Sequence, residues 1–221
     1  MQASALTVGP FEENCWLVTD PVSADAVFID PGDDADVLMA ALAATGATLR
    51  AIWLTHGHLD HVGAIGAIRR VHDVPILLHP ADLPLYRSVD RQAARYGLSM
   101  ERPPEPTEAL AEGMVLHCGT LAFDVWHLPG HAPGHVAFIG AGHAFSGDCL
   151  FAGSIGRTDL PLSDPAALTR SLARLADLPP TTVVCPGHGP HTTIARERAQ
   201  NPFLAGIARP RGATDAISQA S

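Results

Sequence analysis

The chain has 221 residues, of which 47% are hydrophobic and 17% charged, a balance that is typical of a folded globular protein and excludes a mainly disordered one. Its 14 basic and 23 acidic residues give a net charge of −9 at pH 7, which argues against nucleic acid or an anionic membrane as a partner. No apolar run approaches the roughly 20 residues needed to span a bilayer, and Met1–Leu6 shows no secretory leader.

Short apolar runs bounded by turn residues predict buried strands. In chain order these are Leu6–Val8, Cys15–Val18, Ala26–Ile29, Ala51–Leu54, Ile76–Leu78, Phe123–Leu128, Val136–Ile139, Ala144–Ser146 and Thr182–Val184. Helical periodicity predicts helices at Asp34–Thr45, from about Gly63 to His72, at Ala81–Tyr86, Asp90–Tyr96 and Pro165–Asp177, and a last helix that ends at Gln200.

Strands come first and then alternate with helices, and this order repeats after residue 112. The pattern predicts an α/β (α+β) protein with two sheets and helices outside them, a layered αββα sandwich. No linker interrupts the chain, so we expect one domain over residues 1–204, followed by a loose tail over residues 205–221.

Histidine and cysteine are the informative residue types. The chain has 12 histidines, and histidine is the commonest metal ligand. All 14 basic residues are arginine, which excludes any mechanism that needs a lysine. The cysteines lie far apart, form no C-x-x-C pair and indicate the reduced thiols of a cytoplasmic protein; they are Cys15, Cys118, Cys149 and Cys185.

The sequence THGHLDH, residues 55–61, follows the fourth predicted strand and precedes a helix. It places four side chains of metal-ligating type on one turn, namely His56, His58, Asp60 and His61. Alternate positions of an extended segment point the same way, and the turn carries the last two side chains towards a second point. The segment therefore predicts ligands for two adjacent metal ions.

Three further glycine turns each follow a predicted strand and present one residue of ligand type. Their sequences are PGHAPGH at 129–135, SGD at 146–148 and PGHG at 186–189, and their candidate ligands are His131, Asp148 and His188. A layered sheet gathers such loops along one edge, where binding sites are usually built. We therefore expect one site that combines all four segments.

These pieces, in this order and spacing, resemble the metallo-β-lactamase superfamily and, within it, the glyoxalase II branch of hydroxyacyl-thioester hydrolases. The resemblance runs from about residue 4 to Leu204 and implies the four-layer αββα sandwich of that superfamily. It also implies one metal ion on His56, His58 and His131, a second on Asp60, His61 and His188, and Asp148 bridging the two with a water or hydroxide. This donor set suits Zn²⁺, and iron or manganese is allowed.

Asp30, in the sequence IDPG, resembles a superfamily position whose carboxylate orients a ligand histidine from behind. It also fits a turn residue before Pro-Gly, and the sequence leaves both interpretations open. His135 is a histidine that the two-metal set does not need, and we expect it to pack beside the site. Cys149 follows Asp148, and its side chain is expected to point into the core.

Two ions that share a water make hydrolysis the natural reaction class, with a metal-bridging hydroxide as the nucleophile. A thiolate leaves readily near neutral pH, whereas an amide nitrogen must be protonated or stabilised as it departs. The sequence shows no general acid outside the metal ligands, and Asp60 could orient the hydroxide or accept its proton. We therefore expect a hydrolase of a small hydroxyacyl thioester such as S-lactoylglutathione.

The segment 150–161 resembles the glyoxalase II loop in which a basic residue contacts glutathione, and Arg157 takes that position. Its guanidinium fork could bind a carboxylate, although a surface arginine fits the same pattern. Tyrosines expected in the longer enzymes are replaced by Asp159 and Pro190, so the chain looks like the short bacterial subgroup. The thiol carrier of the substrate stays open.

The string GRTD at 156–159 also resembles persulfide dioxygenases, which use a single Fe(II). Their ligands would correspond to His56, His131 and Asp148. Against this alternative, every residue of the second metal set is present, and His135 stands where those dioxygenases carry cysteine. A lactonase, a phosphodiesterase or a non-catalytic metal-binding protein are further alternatives, while the net charge of −9 disfavours a nuclease.

Overall fold

Two six-stranded sheets pack face to face within residues 1–206 and 208–211, the part of the chain that the computed structural model describes. The first sheet contains, in spatial order, β1 (Gln2–Val8), β2 (Glu13–Asp20), β3 (Asp25–Ile29), β4 (Thr48–Trp53), β5 (Ile76–Leu78) and β6 (Glu108–Ala109). The first three strands are antiparallel, and β3 to β6 are parallel.

The second sheet is built from the later half of the chain. Its members are β7 (Val115–Cys118), β8 (Leu121–His127), β9 (Val136–Gly140), β10 (His143–Gly147), β13 (Val183–Pro186) and β14 (Thr192–Thr193). Their spatial order is β14-β13-β10-β9-β8-β7, with β10 and β13 parallel. A small hairpin of β11 (Leu150–Phe151) and β12 (Ser154–Ile155) lies apart from both sheets.

Helices cover the outer face of each sheet. The first sheet carries α1 (Ala35–Thr45), α2 (Ile65–Val71), α3 (Leu83–Tyr86) and α4 (Val89–Ala94), and the second carries α5 (Pro165–Ala176) and α6 (Ile194–Gln200). Asp164 caps α5, because its Oδ1 accepts hydrogen bonds from the backbone N–H groups of Ala166 and Ala167 at 2.9 Å. None of the helices in the described ranges has the length and hydrophobicity needed to cross a bilayer.

The core has three apolar layers, because alternate residues of each central strand point to opposite faces. In β3, Phe28 packs with Leu38 of α1 on the helix side, while Val27 packs between the two sheets. Trp53 and Phe123 meet there edge to edge, with ring centroids 5.5 Å apart. The predicted αββα sandwich is therefore confirmed.

The structure adds strands that the apolar pattern does not predict, namely β6, β7, β11, β12 and β14. Four of them are two residues long, and such short pairings leave no periodic signal in the sequence. Strand β1 begins at Gln2, ahead of the predicted Leu6, because its polar residues still pair with β2. Asp34, predicted as the first helical residue, is the N-cap of α1 and has a left-handed backbone with φ of 46°.

The predicted tail lies partly outside the described residues, which omit 207 and 212–221. Of the described part, Arg211 approaches the body of the fold, since its carbonyl accepts a hydrogen bond from Thr158 Oγ1 at 2.6 Å. The division into a domain over 1–204 and a loose tail stays a prediction.

Candidate metal centre

Four loops meet at one edge of the two sheets, each at the carboxyl end of a strand. They follow β4, β8, β10 and β13, and they hold all seven predicted ligands: His56, His58, Asp60, His61, His131, Asp148 and His188. The ends of β8, β10 and β13 coincide because these strands run in the same direction. The sheets are joined there by a hydrogen bond from the Val136 N–H to the Thr55 carbonyl at 2.8 Å.

Three overlapping groups of ligand-type side chains lie at this edge, and one of them combines Asp30 with His56 and His61. The nitrogen atoms of His56, His58 and His131 lie within 4.8 Å of one another and are buried; we call these residues the first cluster. Asp60, His61 and His188 also place one ligand atom each within 4.8 Å of the others and form the second cluster. The structure thus brings together the same two sets that the family resemblance implies.

Asp148 lies between the two clusters. Its Oδ2 is 3.5 Å from His131 Nε2 of the first cluster and 3.6 Å from His188 Nε2 of the second. Its Oδ1 is 3.5 Å from His61 Nε2. One carboxylate therefore reaches ligand atoms of both sets, which is the arrangement that a bridging ligand needs.

Several polar atoms of the site are buried without a hydrogen bond, which is costly unless another partner satisfies them. They are His56 Nε2, His61 Nε2 and Asp148 Oδ1, and they face the space that the clusters share. Cations bound there would satisfy these atoms. Imidazole nitrogens and carboxylate oxygens suit zinc, iron and manganese, so the residues present fit two divalent ions.

The opposite nitrogen of three cluster histidines is held by the protein. His56 Nδ1 lies 3.0 Å from Thr55 Oγ1, His131 Nδ1 lies 2.8 Å from the Arg157 carbonyl, and His61 Nδ1 lies 3.1 Å from Asp30 Oδ2. Such contacts fix the ring and direct Nε2 towards a metal. Asp30 sits in the left-handed backbone region with φ of 52°, and its side chain lies behind His61, which is the first of the two interpretations that the sequence left open.

The electrostatics of the two clusters differ. Burial is the largest cause that lowers the pKa of His58, to about 3, and it also lowers the pKa values of His56 and His131. Burial acts in the same direction on His61, but the Asp148 and Asp60 carboxylates outweigh it and raise the pKa of His61 well above its usual value. The first cluster therefore favours neutral imidazoles, whereas the carboxylates around His61 favour its protonated form.

We expect the second cluster to lose its ion first when the pH of the two-metal protein is lowered from about 8 to about 6. Protons compete with metal for the same nitrogens, and a raised pKa strengthens the proton in that competition as the pH falls. Burial lowers the pKa of His188, but the hydrogen bond with Asp60 and the charges of Asp148 and Asp60 together outweigh it and raise that pKa too. Elemental analysis after gel filtration at each pH would show two ions falling to one, and simultaneous loss of both would contradict this order.

Asp82 is a site residue that the sequence analysis missed. It follows β5, is fully buried, and its Oδ2 accepts a hydrogen bond from the Gly57 N–H at 2.9 Å, while its Oδ1 accepts one from the Gly134 N–H. Burial raises the pKa of this carboxyl to about 6, although both hydrogen bonds oppose the shift. Asp82 thus connects the loop of residues 55–61 to the loop that carries His131. Such a long-range contact cannot be predicted from a local sequence motif.

Glu13 is a second residue without a sequence signal. Its side chain is fully buried, neither carboxyl oxygen has a hydrogen bond, and Oε1 lies 3.7 Å from His61 Nδ1. Burial raises its pKa well above the usual value. His135, which we expected to pack beside the site, stacks on His56 and accepts the Asp148 N–H through Nε2 at 3.1 Å.

Gly187, in the loop after β13, has no room for a side chain because two site residues lie against its Cα. A Cβ at Gly187 would contact Asp148 Oδ1 and, at 2.8 Å, His61 Cε1. Any larger residue there would displace the carboxylate between the clusters.

A cavity of about 600 Å³ opens over the two clusters, a size suited to a small-molecule substrate. Asp60 of the second cluster and Asp148, which lies between the clusters, both line it. Its apolar wall comprises Phe11, Leu59, Leu85, Phe151, Ile155 and Leu160, and its cationic residues are Arg91, Arg95 and Arg157. The cavity can therefore hold a molecule that is partly apolar and partly anionic.

The αββα fold and the paired His/Asp clusters define a metal-binding protein with a substrate-sized cavity. Residues 8–188 match the sequence profile of the metallo-beta-lactamase superfamily, and the chain belongs to that superfamily of metallohydrolases. The hydroxyacylglutathione hydrolase GloC of Haemophilus influenzae is 38% identical over 209 residues, which cover 92% of this chain and 98% of that protein.

Solved structures agree with the family. TTHA1623 in a di-iron-bound form is 50% identical with a TM-score of 0.85 and covers 91% of this chain and 100% of its own. The B3 metallo-beta-lactamase BLEG-1 is 36% identical with a TM-score of 0.87, over 93% and 100% of the two chains. ETHE1 from Myxococcus xanthus is 28% identical with a TM-score of 0.78, over 93% and 85%.

Proposed function

We propose that the protein is a dinuclear metallohydrolase that cleaves a small hydroxyacyl thioester, with S-lactoylglutathione as the representative substrate. The observation that carries the proposal is the Asp148 carboxylate, which lies within 3.6 Å of nitrogen atoms from both clusters and borders the cavity. The similarity to a hydroxyacylglutathione hydrolase along 98% of that protein supports the choice of substrate class.

In the reaction, water adds to the thioester carbonyl, the C–S bond breaks, and a hydroxy acid and a thiol are released. Two divalent ions, when bound, would polarise that carbonyl and lower the pKa of the attacking water, and Zn²⁺ is the ion we propose. Burial would raise the pKa of Asp60, but His61 and His188 outweigh it and lower that pKa, so the carboxylate is charged at neutral pH. Asp60 can therefore orient the water or take up its proton.

The cavity favours a leaving group that needs no proton donor. Apart from the two clusters and Asp148, the described lining holds three arginines and Tyr96 but no histidine or carboxyl group that could serve as a general acid. A thiolate can depart without protonation, whereas an amide nitrogen cannot. A thioester thus suits this cavity better than a β-lactam amide does.

Arg157 lines the cavity, as a residue that contacts the substrate must. Its guanidinium donates hydrogen bonds to the Asp159 carboxylate from Nε at 2.6 Å and from a terminal nitrogen at 3.0 Å. Asp159 stands where the longer enzymes have a tyrosine, and here it occupies the fork of the arginine. We propose that Arg157 contacts substrate only when this exposed ion pair opens.

The test is hydrolysis of S-D-lactoylglutathione by the metal-loaded protein, with a penicillin and a lactone as comparison substrates. We expect thioester hydrolysis with kcat/KM of at least about 10⁴ M⁻¹s⁻¹ and far slower cleavage of the other two. Activity should disappear on chelation and return with Zn²⁺. A two-metal protein that leaves the thioester intact would overturn the proposal.

A single-iron dioxygenase on His56, His131 and Asp148 is the second candidate, favoured by the similarity to ETHE1 from Myxococcus xanthus. The geometry supports the hydrolase better, because the second cluster is complete and His58 Nδ1 lies 2.9 Å from His131 Nε2. Oxygen uptake with glutathione persulfide would identify the dioxygenase.

The compartment we propose is the cytoplasm. All four cysteines are buried, unpaired thiols, and such thiols persist in a reducing environment.

A further inference from the structure

One face of α4 is turned towards the cavity over the metal clusters. Residues spaced three and four apart lie on the same side of a helix. The cavity is lined from this helix and its two flanking residues by Ser88, Arg91, Gln92 and Arg95. The opposite side is buried in the core through Val89 and Ala93, so the orientation of the helix is fixed.

Gln92 ties this face to the loop that carries the metal ligands. Its Oε1 accepts a hydrogen bond from the backbone N–H of Leu59 at 3.1 Å, and its Nε2 donates to the Leu85 carbonyl at 2.8 Å. Leu59 lies between His58 and Asp60, one residue of each cluster. The two arginines on either side of Gln92 are thereby held next to the metal site.

Neither guanidinium is bound by a carboxylate of the described residues, although the charge of Arg91 helps to lower the pKa of the neighbouring Asp90. Within residues 1–206 and 208–211, Arg91 and Arg95 make no hydrogen bond or ion pair through their guanidinium groups. The carboxylate beside Arg91 in the sequence, that of Asp90, is bound by Arg102 at 2.7 Å. Asp159, the acidic residue next to the third arginine of the cavity, is taken by Arg157 and by Arg211.

Unpaired cations at a cavity are unexpected in this chain, because acidic residues outnumber basic ones by 23 to 14. Most other arginines near α4 are engaged; Arg87, for example, donates two hydrogen bonds from Nε and one from a terminal nitrogen to Glu105. Guanidinium groups bind carboxylates and phosphates through two parallel hydrogen bonds. Two of them on adjacent turns of one helix face therefore suit a ligand that carries negative charge.

We propose that Arg91 and Arg95 form an anion-binding subsite that recognises carboxylate or phosphate groups on the thiol carrier of the substrate. The inference rests on the proposed thioester hydrolase function. In that reaction the acyl group reaches the clusters, and the carrier extends along α4 to the two guanidinium groups. The residues are specificity determinants and take no part in bond breaking.

The experiment compares lactoyl thioesters that differ in carrier charge. N-acetylcysteamine is a neutral carrier, and N-acetylcysteine adds one carboxylate to the same skeleton. Glutathione carries two carboxylates, and coenzyme A carries phosphate groups. Each is assayed with wild type, Arg91→Gln, Arg95→Gln and the double variant. Arg87→Gln is the matched control, since it removes one charge from the same segment outside the cavity.

We expect each single variant to raise KM about tenfold for the anionic carriers, with kcat and the neutral thioester unchanged. Arg87→Gln should behave as wild type. A larger rise in KM for the coenzyme A thioester than for the glutathione thioester would show that the subsite prefers phosphate. A larger rise for the glutathione thioester would show that it prefers carboxylate. Equal KM changes for the neutral and the anionic thioesters, or no change in any, would overturn the subsite.

A binding measurement separates this inference from the proposed function. Calorimetric titration of the metal-loaded protein with S-methylglutathione, which cannot be hydrolysed, reports the subsite directly. If no thioester is hydrolysed but S-methylglutathione binds wild type and loses about tenfold affinity in the variants, the hydrolase proposal fails and the subsite stands. If wild type binds neither this thioether nor coenzyme A, the subsite is wrong.

Discussion

Replacement of Asp148 by asparagine is expected to reduce kcat/KM for thioester hydrolysis by about a thousandfold, equivalent to about 4 kcal/mol of transition-state stabilisation. The carboxylate lies 3.5 Å from nitrogen atoms of His131 and His61, so it serves both clusters at once. Asparagine keeps the shape but removes the charge and offers only one acceptor oxygen. We therefore expect the purified variant to carry fewer than two ions per chain.

The matched control is Asp124→Asn, the same substitution at an exposed position of β8, the strand that leads to His131. It should retain wild-type activity and metal content. Steady-state kinetics gives kcat/KM for both variants, and elemental analysis gives their metal content per chain. An Asp148→Asn protein with two ions and near-normal kcat/KM would show that this carboxylate does not bridge the clusters.

Asp30→Asn should weaken metal binding by about tenfold to a hundredfold, mainly at the second cluster. Asp30 is buried, and its carboxylate accepts the Thr55 N–H at 2.7 Å, the Thr55 Oγ1–H at 2.6 Å and the contact from His61 Nδ1 at 3.1 Å. An asparagine side chain cannot accept from all three donors. His61 then loses its fixed orientation, and a buried donor is left without a partner.

Asp20→Asn separates this effect from a general loss of stability. Asp20 is also buried and accepts hydrogen bonds from Thr120, Val22 and Ser23, but it lies at the opposite end of β2 from the site. Each variant should lose about 1–3 kcal/mol in free energy of unfolding. Only Asp30→Asn should lower metal affinity, measured by competition with a chromogenic chelator. Equal metal affinity in the two variants would show that Asp30 does not orient a metal ligand.

The candidate ligands could be predicted from the sequence because their spacing is local, whereas their division into two clusters followed only from the family resemblance. Residues 56–61 place four ligand-type side chains on one turn, and each remaining candidate follows an apolar strand that ends in a glycine turn. The carboxyl ends of β8, β10 and β13 coincide in the sheet, so loops that are far apart in sequence meet. Strand periodicity likewise sufficed for the αββα sandwich, whereas two-residue strands such as β6 left no periodic signal.

The residues that support the clusters could not be predicted, since their roles depend on tertiary contacts. Asp82 acts on Gly57 and Gly134, which lie in two other loops. Arg91 and Arg95 look like ordinary surface cations in a short polar helix, and only the fold shows that their face borders the cavity. Arg157 illustrates the reverse case: the sequence suggested a substrate contact, and the structure adds its ion pair with Asp159.

The most direct test of the two-cluster account is the metal content of protein purified without added metal or chelator. Elemental analysis per chain should give close to two divalent ions, as zinc or as a mixture of zinc with iron or manganese. That result would support a dinuclear centre on the two clusters with Asp148 between them. A single iron with no second metal would contradict the account and favour the dioxygenase.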